Sequence, residues 1–410
     1  MHYSRYLVQA HIFSANIVGN FRLQAAAARD GAGVSATRRM PDGAGGEEAF
    51  IWPELVPVLK ADAYGHGHIE AGRALAGAGA RAFASGCAGE AATLRAGLEE
   101  GGCGAPRPPI LALLGIQSRE DMELCAPRGI IPVLGDYTQL KMLEDFRCRS
   151  GPAPIAVKCN TGMSRLGFNE EELPALCAAL RALPGVRPVL ALSHLHSADT
   201  EGGLEAARAQ AVVFARMLQG LRAEYPDMAA SLANSAGTFF AAELTRIIGP
   251  HVCRPGLALY GADPFYGTSL SLGRALAPAM AVSAPLLSER ELPAGAGLGY
   301  GHTFRAERPM RVGIIAAGYA DGFSRGLSGR GEVCIAGVRA PVLGRVSMQM
   351  SAVDLSALPR GSEKPERAWI MGGPWAQSVK VEELAAAWGT IPYEVMCLLG
   401  RNERVYACLR

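Results

Sequence analysis

The chain has 410 residues, of which 49% are hydrophobic and 19% charged, and its formal net charge is +2. This length suits two domains, and so small a net charge gives no support for binding to nucleic acid or to a membrane surface. The N-terminus lacks the pattern of a signal peptide, no apolar run is long enough to span a membrane, and the ten cysteines form no CxxC pair. We therefore expect a cytoplasmic protein with reduced thiols and no metal site.

The first part of the chain predicts a strand, a helix and an insertion. Residues 1–11 are expected to form a strand that packs with the C-terminal part of the chain. A helix is predicted over Ser14–Ala27, because Ser14 is a suitable N-cap. The stretch Ala28–Gly46 is rich in Gly, Ala, Arg and Asp, which is typical of a surface loop, and we interpret it as a tolerated insertion.

From about residue 50 to residue 262 a unit repeats, in which a short apolar strand is followed by an alanine-rich helical stretch. The predicted strands are Val56–Lys60, Ala82–Ser85, Ile110–Leu114, Ile131–Leu134, Ile155–Lys158, Val189–Ser193, Ser231–Ala233 and Cys253–Tyr260. Predicted helices between them include Ile69–Ala78, Glu90–Leu98, Glu170–Ala182 and Leu204–Glu224. Eight such units favour a (β/α)8 TIM barrel over residues 12–262, although a doubly wound sheet shares the pattern.

After Gly261 valines, prolines and glycines recur at short spacing, which predicts a mostly β domain over residues 263–410. Its predicted strands are Pro278–Leu287, Arg311–Ala316, Gly331–Val338, Arg339–Val346 and Gln349–Leu355. One short helix is expected at Val381–Trp388, and the end of the chain returns to strand or short-helix character.

One lysine stands out at the end of the first predicted strand. The apolar run Val56–Leu59 indicates a buried strand, and it ends abruptly at Lys60. A lysine at the end of a buried strand is costly unless its charge is used or its pKa is lowered. A desolvated amine is a nucleophile near neutral pH, so Lys60 is a candidate for Schiff-base chemistry; the alternative is a lysine that reaches out to solvent.

In barrels the active site is built from residues that follow the strands, and here these residues form a coherent set. They are Lys60, Lys158, Asn160, Arg165, His194, His196, Asp199, Asn234, Ser235, Arg254, Pro255 and Gly256. The set contains no carboxylate pair, Cys–His pattern or metal triad. Gly237 and Gly256 follow the last two strands, where barrels often bind phosphate, although each loop taken alone also fits an ordinary turn. A lysine beside a phosphate site is what pyridoxal phosphate requires.

These motifs, in this order, resemble those of alanine racemase, a fold-type III pyridoxal-phosphate enzyme. The matching segments are Lys60–Gly67 (KADAYGHG), Lys158–Phe168 (KCNTGMSRLGF), His194 with Ser197–Asp199, Asn234–Ser235, Arg254–Gly261 (RPGLALYG), Gly299–Gly301 (GYG), Gly318–Gly322 (GYADG), Gly344–Met348 (GRVSM) and Tyr393–Val395 (YEV). A single motif of this kind is weakly specific, whereas the ordered set across both predicted domains is specific.

The resemblance implies two bases on opposite faces of the substrate α-carbon. Lys60 would hold the cofactor and act on one face, and Tyr300 would act on the other. In the family this tyrosine comes from the partner subunit, so the resemblance also implies a homodimer with shared active sites. Supply of D-alanine for peptidoglycan is the implied biological role.

The resemblance assigns further residues to the site. Arg254 would face the pyridine nitrogen of the cofactor, and His194 would pack near its ring. The phosphate and the rest of the cofactor would contact Tyr64, Asn234, Ser235, Tyr393 and the backbone of Gly256 and Leu257. The substrate would contact Arg165, Tyr300, Tyr319 and the backbone of Met348. Residues behind the substrate or at the entrance of the site would be Lys158, Asp199, Arg325 and Gln349. The lysine at the position of Lys158 is carbamylated in many family members.

Two positions depart from the family pattern, because Asn160 and Gln349 replace aspartates. Asn160 preserves a turn-forming side chain, whereas Gln349 removes a negative charge beside the predicted carboxylate site. The alternatives are therefore a racemase for serine or for several amino acids, a fold-type III amino-acid decarboxylase, and a noncatalytic pyridoxal-phosphate carrier. An arginine at 254 disfavours the decarboxylase, in which an acidic residue is expected, and the second domain with Tyr300 disfavours the carrier.

Overall fold

The computed structural model describes residues 7–32, 52–102, 107–146, 153–183, 185–359 and 365–407. Strand β1 (Gln9–Ile12) is followed by a helix over Ser14–Ala32. This helix includes the first residues of the predicted insertion, so the loop prediction is wrong for Ala28–Ala32, where alanine and arginine favour continuation of the helix. The remainder of the insertion, and residues 1–6 of the predicted N-terminal strand, lie outside the described residues.

Six parallel strands form one sheet, in the sequential order β2 to β7. They are β2 (Phe83–Ser85), β3 (Ile110–Ala112), β4 (Ile130–Leu134), β5 (Ala153–Lys158), β6 (Val186–Leu192) and β7 (Ala229–Ser231). The helices of this part are His68–Gly77, Ala88–Glu100, Arg119–Cys125, Tyr137–Phe146, Leu173–Arg181, Gly203–Glu224, Ser235–Thr238 and Ala241–Ile248. The strands are buried almost throughout and are flanked by these helices, as the predicted α/β class requires.

The first and eighth predicted strands are not regular strands, which corrects the sequence prediction. Val56 N–H donates to the Cys253 carbonyl at 2.8 Å, and Leu59 N–H donates to the Ala84 carbonyl at 2.7 Å. Together with the bond from the Val252 N–H to the Ala230 carbonyl of β7 at 2.8 Å, they close the sheet into a barrel, but Pro57 has no N–H to contribute to a continuous ladder.

The eighth segment ends early for a similar reason. Its one bridge is at Cys253, and after Pro255 and Gly256 the chain turns into a 3₁₀ helix at Leu257–Tyr260. Proline and glycine both interrupt a strand, so the predicted strand Cys253–Tyr260 is wrong beyond its first residues.

The C-terminal part is mostly β, as predicted. Its strands are β8 (Met280–Leu292), β9 (Gly297–Leu298), β10 (Phe304–Arg305), β11 (Met310–Ile315), β12 (Glu332–Ile335), β13 (Val338–Leu343), β14 (Ser351–Asp354), β15 (Arg367–Met371) and β16 (Glu403–Tyr406). The large sheet has the order β11-β14-β13-β12-β15-β8-β1-β16, and a further pairing of β11 with β8 closes part of it on itself. β1 therefore belongs to this sheet, which matches its predicted packing partner.

Two details of the β domain follow from local sequence. The predicted strand Gly331–Val338 is broken at Ala336 and Gly337, which both have positive φ and form a tight hairpin turn between β12 and β13. The helix Val381–Trp388 is found as predicted, and a second helix, Pro392–Leu399, begins with proline at its first turn. No helix in the described part of the chain is long and apolar enough to cross a membrane.

Candidate active site

Most of the strand-end residues meet in one cavity of about 370 Å³ at the C-terminal edge of the barrel strands, whereas Asn160, His196, Asp199 and Pro255 do not line it. Its lining residues are Val58, Lys60, Tyr64, Gly86, Leu113, Leu114, Lys158, Arg165, Leu166, Leu192, His194, Asn234, Ser235, Arg254, Gly256, Leu257 and Tyr393. The lining combines four cationic side chains with no carboxylate, so the cavity is suited to an anionic ligand.

Lys60 begins a left-handed turn. Ala61, Asp62, Ala63 and Tyr64 all have φ between 51° and 55°, although none of them is glycine. A left-handed conformation costs roughly 1–2 kcal/mol for each such residue, so surrounding contacts must hold it. This turn directs the chain from the first barrel segment to the helix His68–Gly77 and leaves Lys60 at the cavity.

The turn packs closely against the C-terminal domain. A Cβ on Gly65 would lie 2.5 Å from the carbonyl oxygen of Met396 and 3.0 Å from the Cα of Gly400, so only glycine fits there. The Asp62 carboxylate accepts hydrogen bonds from the His68 backbone at 2.8 Å and from His68 Nδ1 at 2.7 Å, and it also pairs with Arg404 of β16. The left-handed turn is thus held partly by a residue far along the chain.

Replacing Asp62 with asparagine is expected to lower stability near pH 7 in a pH-dependent way. Burial alone would raise the pKa of Asp62, but the hydrogen bonds from His68 and Arg404 outweigh it and hold this pKa well below its usual range. The carboxylate therefore stabilises the fold above about pH 4, its ordinary pKa, and this contribution disappears as the pH falls through the folded-state pKa. Because the side chain is partly exposed, we expect a difference of about 1 kcal/mol or less. Urea unfolding of both proteins between pH 7 and pH 3 measures it, and a difference that does not shrink in acid would contradict the assignment.

The cavity cations shift one another's protonation. Partial burial at the mouth of the cavity lowers the pKa of Lys60, and the charges of Arg165 and Arg254 lower it further. Burial likewise lowers the pKa of Lys158 to about 8, with Arg165 the next contributor. Burial and the same cations lower the pKa of His194 to about 3, so its ring is neutral near pH 7. A lowered lysine pKa increases the fraction of neutral, nucleophilic amine.

Arg254 is buried and held by uncharged partners. It donates to the Ser231 hydroxyl and to the Ser193 carbonyl, and no carboxylate appears among these contacts. Burial lowers the pKa of Arg254 to about 10, so the guanidinium still carries its charge near pH 7. A guanidinium donates hydrogen bonds and accepts none, so any ring nitrogen that faces it must be an acceptor.

A buried polar network links three strand-end loops behind the cavity. Gln210, on the helix Gly203–Glu224, donates to Thr161 Oγ1 and to the His194 carbonyl, both at 3.0 Å. Its side-chain oxygen accepts from the His196 N–H at 3.0 Å. Thr161 Oγ1 in turn is 2.7 Å from Ser193 Oγ, and the Ser193 carbonyl accepts the hydrogen bond from Arg254. The network fixes the loops that carry Arg165, His194 and Arg254 relative to one another.

The far end of the cavity presents backbone donors. Ser235 Oγ accepts from the N–H groups of Gly256 and Ala258 at 3.0 and 3.2 Å, which brings two backbone donors around one point. Tyr64 lies against Gly256, since a Cβ there would be 2.3 Å from the Tyr64 hydroxyl oxygen. Burial raises the pKa of Tyr64 well above its ordinary value, so its hydroxyl is a donor at neutral pH. Such a cluster of N–H and O–H donors is suited to an anionic group such as a phosphate.

Comparisons with known proteins agree with this geometry. Residues 50–264 match the family model described as alanine racemase, N-terminal domain, and residues 279–406 match that of the C-terminal domain. The chain belongs to the alanine racemase family. Alanine racemase from Nitratidesulfovibrio vulgaris (strain DP4) is 48% identical over 350 residues, which are 85% of this chain and 90% of that protein. Alanine racemase from Lawsonia intracellularis is 39% identical over 86% of this chain and 90% of its own length.

Solved structures of the alanine racemase family share the fold. Alanine racemase from Bartonella henselae with covalently bound pyridoxal phosphate superposes with a TM-score of 0.78 at 29% identity, over 98% of this chain and 99% of that one. Biosynthetic alanine racemase from Pseudomonas aeruginosa gives 0.76 at 31% identity, with the same coverage. The family and fold predicted from the motifs are therefore confirmed, and the chain is an isomerase of the alanine racemase family.

Other residues predicted from the alanine racemase resemblance lie outside this cavity in the single chain. Tyr300, Met348 and Tyr319 are 69%, 59% and 45% exposed on the β domain. Arg325 and Gln349, also on the β domain, are exposed too. Asp199 is likewise exposed, and its charge helps raise the pKa of Tyr393 to about 12, after the larger effect of burial.

The exposed residues of the β domain belong to neighbouring loops. The N–H of Ala320, next to Tyr319, donates to the Met348 carbonyl at 2.9 Å. A Cβ on Gly301, next to Tyr300, would be 3.7 Å from Arg345 Nη1. The loops that carry Tyr300, Tyr319 and Met348 therefore form one surface, although a single chain does not bring it to the Lys60 cavity.

Sequence reasoning missed residues that lie outside the cavity but hydrogen-bond to the residues that form it. Ser193, Ser231 and Gln210 are ordinary polar residues in the sequence, and their contacts join segments that are distant along the chain. Glu90 was predicted only as the start of a helix. Its position in the first turn of Ala88–Glu100 indicates helix capping, and its side chain does accept the Gly86 N–H before that helix. Its second hydrogen bond, from the Ala61 N–H, has no signal in the sequence.

Proposed function

We propose that this chain interconverts L-alanine and D-alanine with pyridoxal phosphate as cofactor, using Lys60 and Tyr300 as the two proton-transferring residues. The observation that carries the proposal is the position of Lys60 in a cationic cavity that also contains Arg254 and the donor cluster around Ser235. Membership of the alanine racemase family supports the reaction, and the bound pyridoxal phosphate of the Bartonella relative supports the cofactor.

The residues present fit this cofactor. The Ser235 hydroxyl, the Gly256 and Leu257 backbone, Tyr64 and Tyr393 would bind its phosphate, with Asn234 beside them. Gly256 fits because a larger residue would fill the space at the Tyr64 hydroxyl. At the other end, the buried guanidinium of Arg254 would donate to the ring nitrogen, and the neutral His194 would pack near the ring.

When bound, pyridoxal phosphate withdraws electrons from the substrate α-carbon and makes its proton acidic. On one face Lys60 Nζ would remove this proton as the neutral amine or return it as the ammonium, and on the other face the Tyr300 oxygen would do the same as phenolate or as hydroxyl. The charge of Arg165 would hold the substrate carboxylate, together with the Met348 backbone. Lys158 lies beside Arg165 and would orient it, either as a free amine or in carbamylated form.

Replacing Gly256 with alanine is expected to weaken cofactor binding at least about tenfold, because the new Cβ would collide with the Tyr64 ring and displace a phosphate donor. Gly19→Ala is the matched control, since no atom lies within 4 Å of its added Cβ, and alanine is favoured within a helix. Titration of each cofactor-free protein with pyridoxal phosphate, followed by absorbance, measures the dissociation constants. Equal constants for Gly256→Ala and the unaltered protein would place the phosphate elsewhere.

We also propose that the active site is completed by a second copy of the chain. The described residues that line the cavity offer Lys60 but not Tyr300, whose ring is exposed on the β domain. Racemisation requires groups on both faces of the α-carbon, so Tyr300 of the partner subunit would supply the second. The surface carrying Met348 and Tyr319 would then form part of the interface and of the entrance, with Arg325, Asp199 and Gln349.

Subunit mixing tests this arrangement. Lys60→Ala and Tyr300→Phe are purified separately, each as an inactive protein, and then mixed, unfolded and refolded together. If the active site is shared, a mixed dimer contains one site with both residues, and random pairing restores about a quarter of full activity. If each chain builds its own site, the mixture stays inactive, and the shared-site proposal fails.

A substrate comparison tests the reaction itself. The purified protein with pyridoxal phosphate is incubated with L-alanine, L-serine and L-lysine in turn, and the loss of optical rotation is followed. We expect the fastest loss with alanine. Faster loss with serine or lysine would assign a different racemase and make Gln349 the first residue to examine. Release of carbon dioxide without racemisation would assign a decarboxylase, and bound cofactor with no reaction would assign a carrier.

We propose supply of D-alanine for peptidoglycan, in the cytoplasm, as the biological role. Membership of the alanine racemase family supports it. Expression of the chain in a bacterium that requires external D-alanine tests the role, with Lys60→Ala as the control. Growth without D-alanine that depends on Lys60 is the expected result.

A further inference from the structure

We infer that Glu90 is a positioning residue for Lys60, which it serves by fixing the first peptide of the left-handed turn and by placing a negative charge beside the lysine. The inference rests on the proposed function of Lys60 as a proton-transferring residue. It concerns a residue that touches neither the proposed cofactor site nor the substrate, since Glu90 is not among the residues that line the cavity in the described chain.

The two carboxylate oxygens of Glu90 have different partners. Oε1 accepts from the Ala61 N–H at 3.0 Å, and Oε2 accepts from the Gly86 N–H at 2.8 Å. Ala61 directly follows Lys60 and is the first residue of the turn with positive φ. One side chain therefore joins the loop after β2 to the strained peptide that carries the lysine, and a bond to a charged acceptor is stronger than one to a neutral acceptor.

Gly86 allows this arrangement. A Cβ added to Gly86 would lie 2.7 Å from Glu90 Oε2 and 3.5 Å from Lys60 Cβ. The carboxylate and the lysine thus approach the same side of one glycine, and any larger residue would push the carboxylate away. This closeness is the reason that Glu90 acts on Lys60 electrostatically as well as through the backbone.

Neighbouring loops show what helix capping alone requires. At the start of the helix Tyr137–Phe146, the Gly135 N–H donates to Gln139 Oε1 at 2.8 Å, and before Arg119–Cys125 the Gln117 N–H donates to Asp121 Oδ2 at 2.7 Å. Both copy the spacing of the Gly86–Glu90 bond, and Gln139 shows that an amide is sufficient. A glutamine at position 90 would keep this capping bond but lose the second acceptor, so capping does not explain the carboxylate.

Several charged groups surround Lys60. Most are cations that lower the pKa of Lys60, whereas the negative charge of Glu90 raises it. Arg165 and Arg254 disfavour a positive charge on the lysine, as does Lys158, which is close enough to be affected by it in turn. His194 is neutral near pH 7, and the Cys397 thiol, whose own pKa is raised by burial, faces Lys60 from the helix Pro392–Leu399. Loss of the Glu90 charge should therefore lower the pKa of Lys60 still further.

The decisive variant is Glu90→Gln, with Asp121→Asn as the control that alters only a capping carboxylate. We expect Glu90→Gln to lower kcat about tenfold while KM for L-alanine changes less than about twofold, because the lysine is misplaced rather than the carboxylate site. Asp121→Asn should leave both constants unchanged. Gly86→Ala is a second variant, which displaces the carboxylate without removing it and should lower kcat in the same way.

A second measurement uses the cofactor-free protein and does not depend on racemisation. Lysines are reductively dimethylated with ¹³C-formaldehyde and a borohydride reductant, and the Lys60 signal is identified by its loss in Lys60→Ala. Its NMR titration should move to lower pH in Glu90→Gln and stay in place in Asp121→Asn. An unchanged Lys60 titration together with an unchanged kcat would overturn the inference and leave Glu90 as a helix cap. If the unaltered protein does not racemise alanine, the proposed function fails, while the titration still decides the role of Glu90.

Discussion

Replacing Lys60 with alanine is expected to lower alanine racemisation by about 10³-fold or more. The variant loses a positioned acid–base group, which alone contributes roughly 10² to 10⁴ in rate, and also the amine that would hold the cofactor covalently. The cavity itself should survive, because Lys60 lies at its mouth and the left-handed turn is held by Asp62 and Gly65 rather than by the lysine side chain.

The measurement separates attachment from catalysis. Cofactor-loaded protein is reduced with borohydride and digested, and mass spectrometry locates the modified lysine, while optical rotation gives the rate. We expect the adduct on Lys60 and none in the variant. Lys141→Ala, on the exposed face of the helix Tyr137–Phe146, is the matched control and should be fully active. Lys158 lines the same cavity, so an adduct on Lys158 would transfer the role to that residue.

The sequence was sufficient to place these two lysines together because parallel strands end at one edge of a barrel. Position after a strand is a local property, and it located Lys158, His194, Ser235 and Arg254 in one cavity without any knowledge of their contacts.

Other features were beyond sequence reasoning because they arise from contacts between distant segments. The strand prediction for Val56–Lys60 failed at Pro57, which lacks a donor, and at Lys60, where the left-handed turn begins. Among Ala61, Asp62 and Ala63 only the aspartate is of a type that adopts positive φ with some frequency, so contacts with partners such as Glu90 and Arg404 are needed to hold this backbone. The residues around Tyr300 carry no signal for a second chain, and only the family resemblance predicted that this tyrosine would act in a partner's active site.

Replacing Arg254 with glutamate is expected to lower racemisation about 10²-fold and to increase transamination of the substrate. The arginine cannot accept a proton, so a ring nitrogen that faces it stays unprotonated, and the ring withdraws electrons less strongly. A glutamate would accept a hydrogen bond from a protonated ring nitrogen, which would strengthen electron withdrawal by the ring. The deprotonated substrate would then persist longer, so that a proton could be added to a carbon of the cofactor instead of to the substrate α-carbon. Pyruvate and the amine form of the cofactor should accumulate, with a long-wavelength absorbance band.

A loss of stability in this variant has to be distinguished from a change in the reaction. The glutamate would face the Ser193 carbonyl, which in the unaltered protein accepts a hydrogen bond from the Arg254 guanidinium. The chain offers a matched control in Arg95, another buried arginine, which donates to the carbonyls of Arg128 and Pro108 away from the cavity. Arg95→Glu should lose stability in the same way, since both variants replace a buried donor by a charged acceptor beside a carbonyl.

The ratio of pyruvate formed to alanine racemised then distinguishes the two effects, because partial unfolding lowers both rates together and leaves their ratio unchanged. We expect the ratio to rise in Arg254→Glu and to stay constant in Arg95→Glu. If both variants keep the ratio of the unaltered protein, Arg254 contributes only to folding and to charge in the cavity. The fidelity of the reaction would then depend on how Lys60 and Tyr300 deliver protons to the α-carbon, and not on the residue that faces the ring nitrogen.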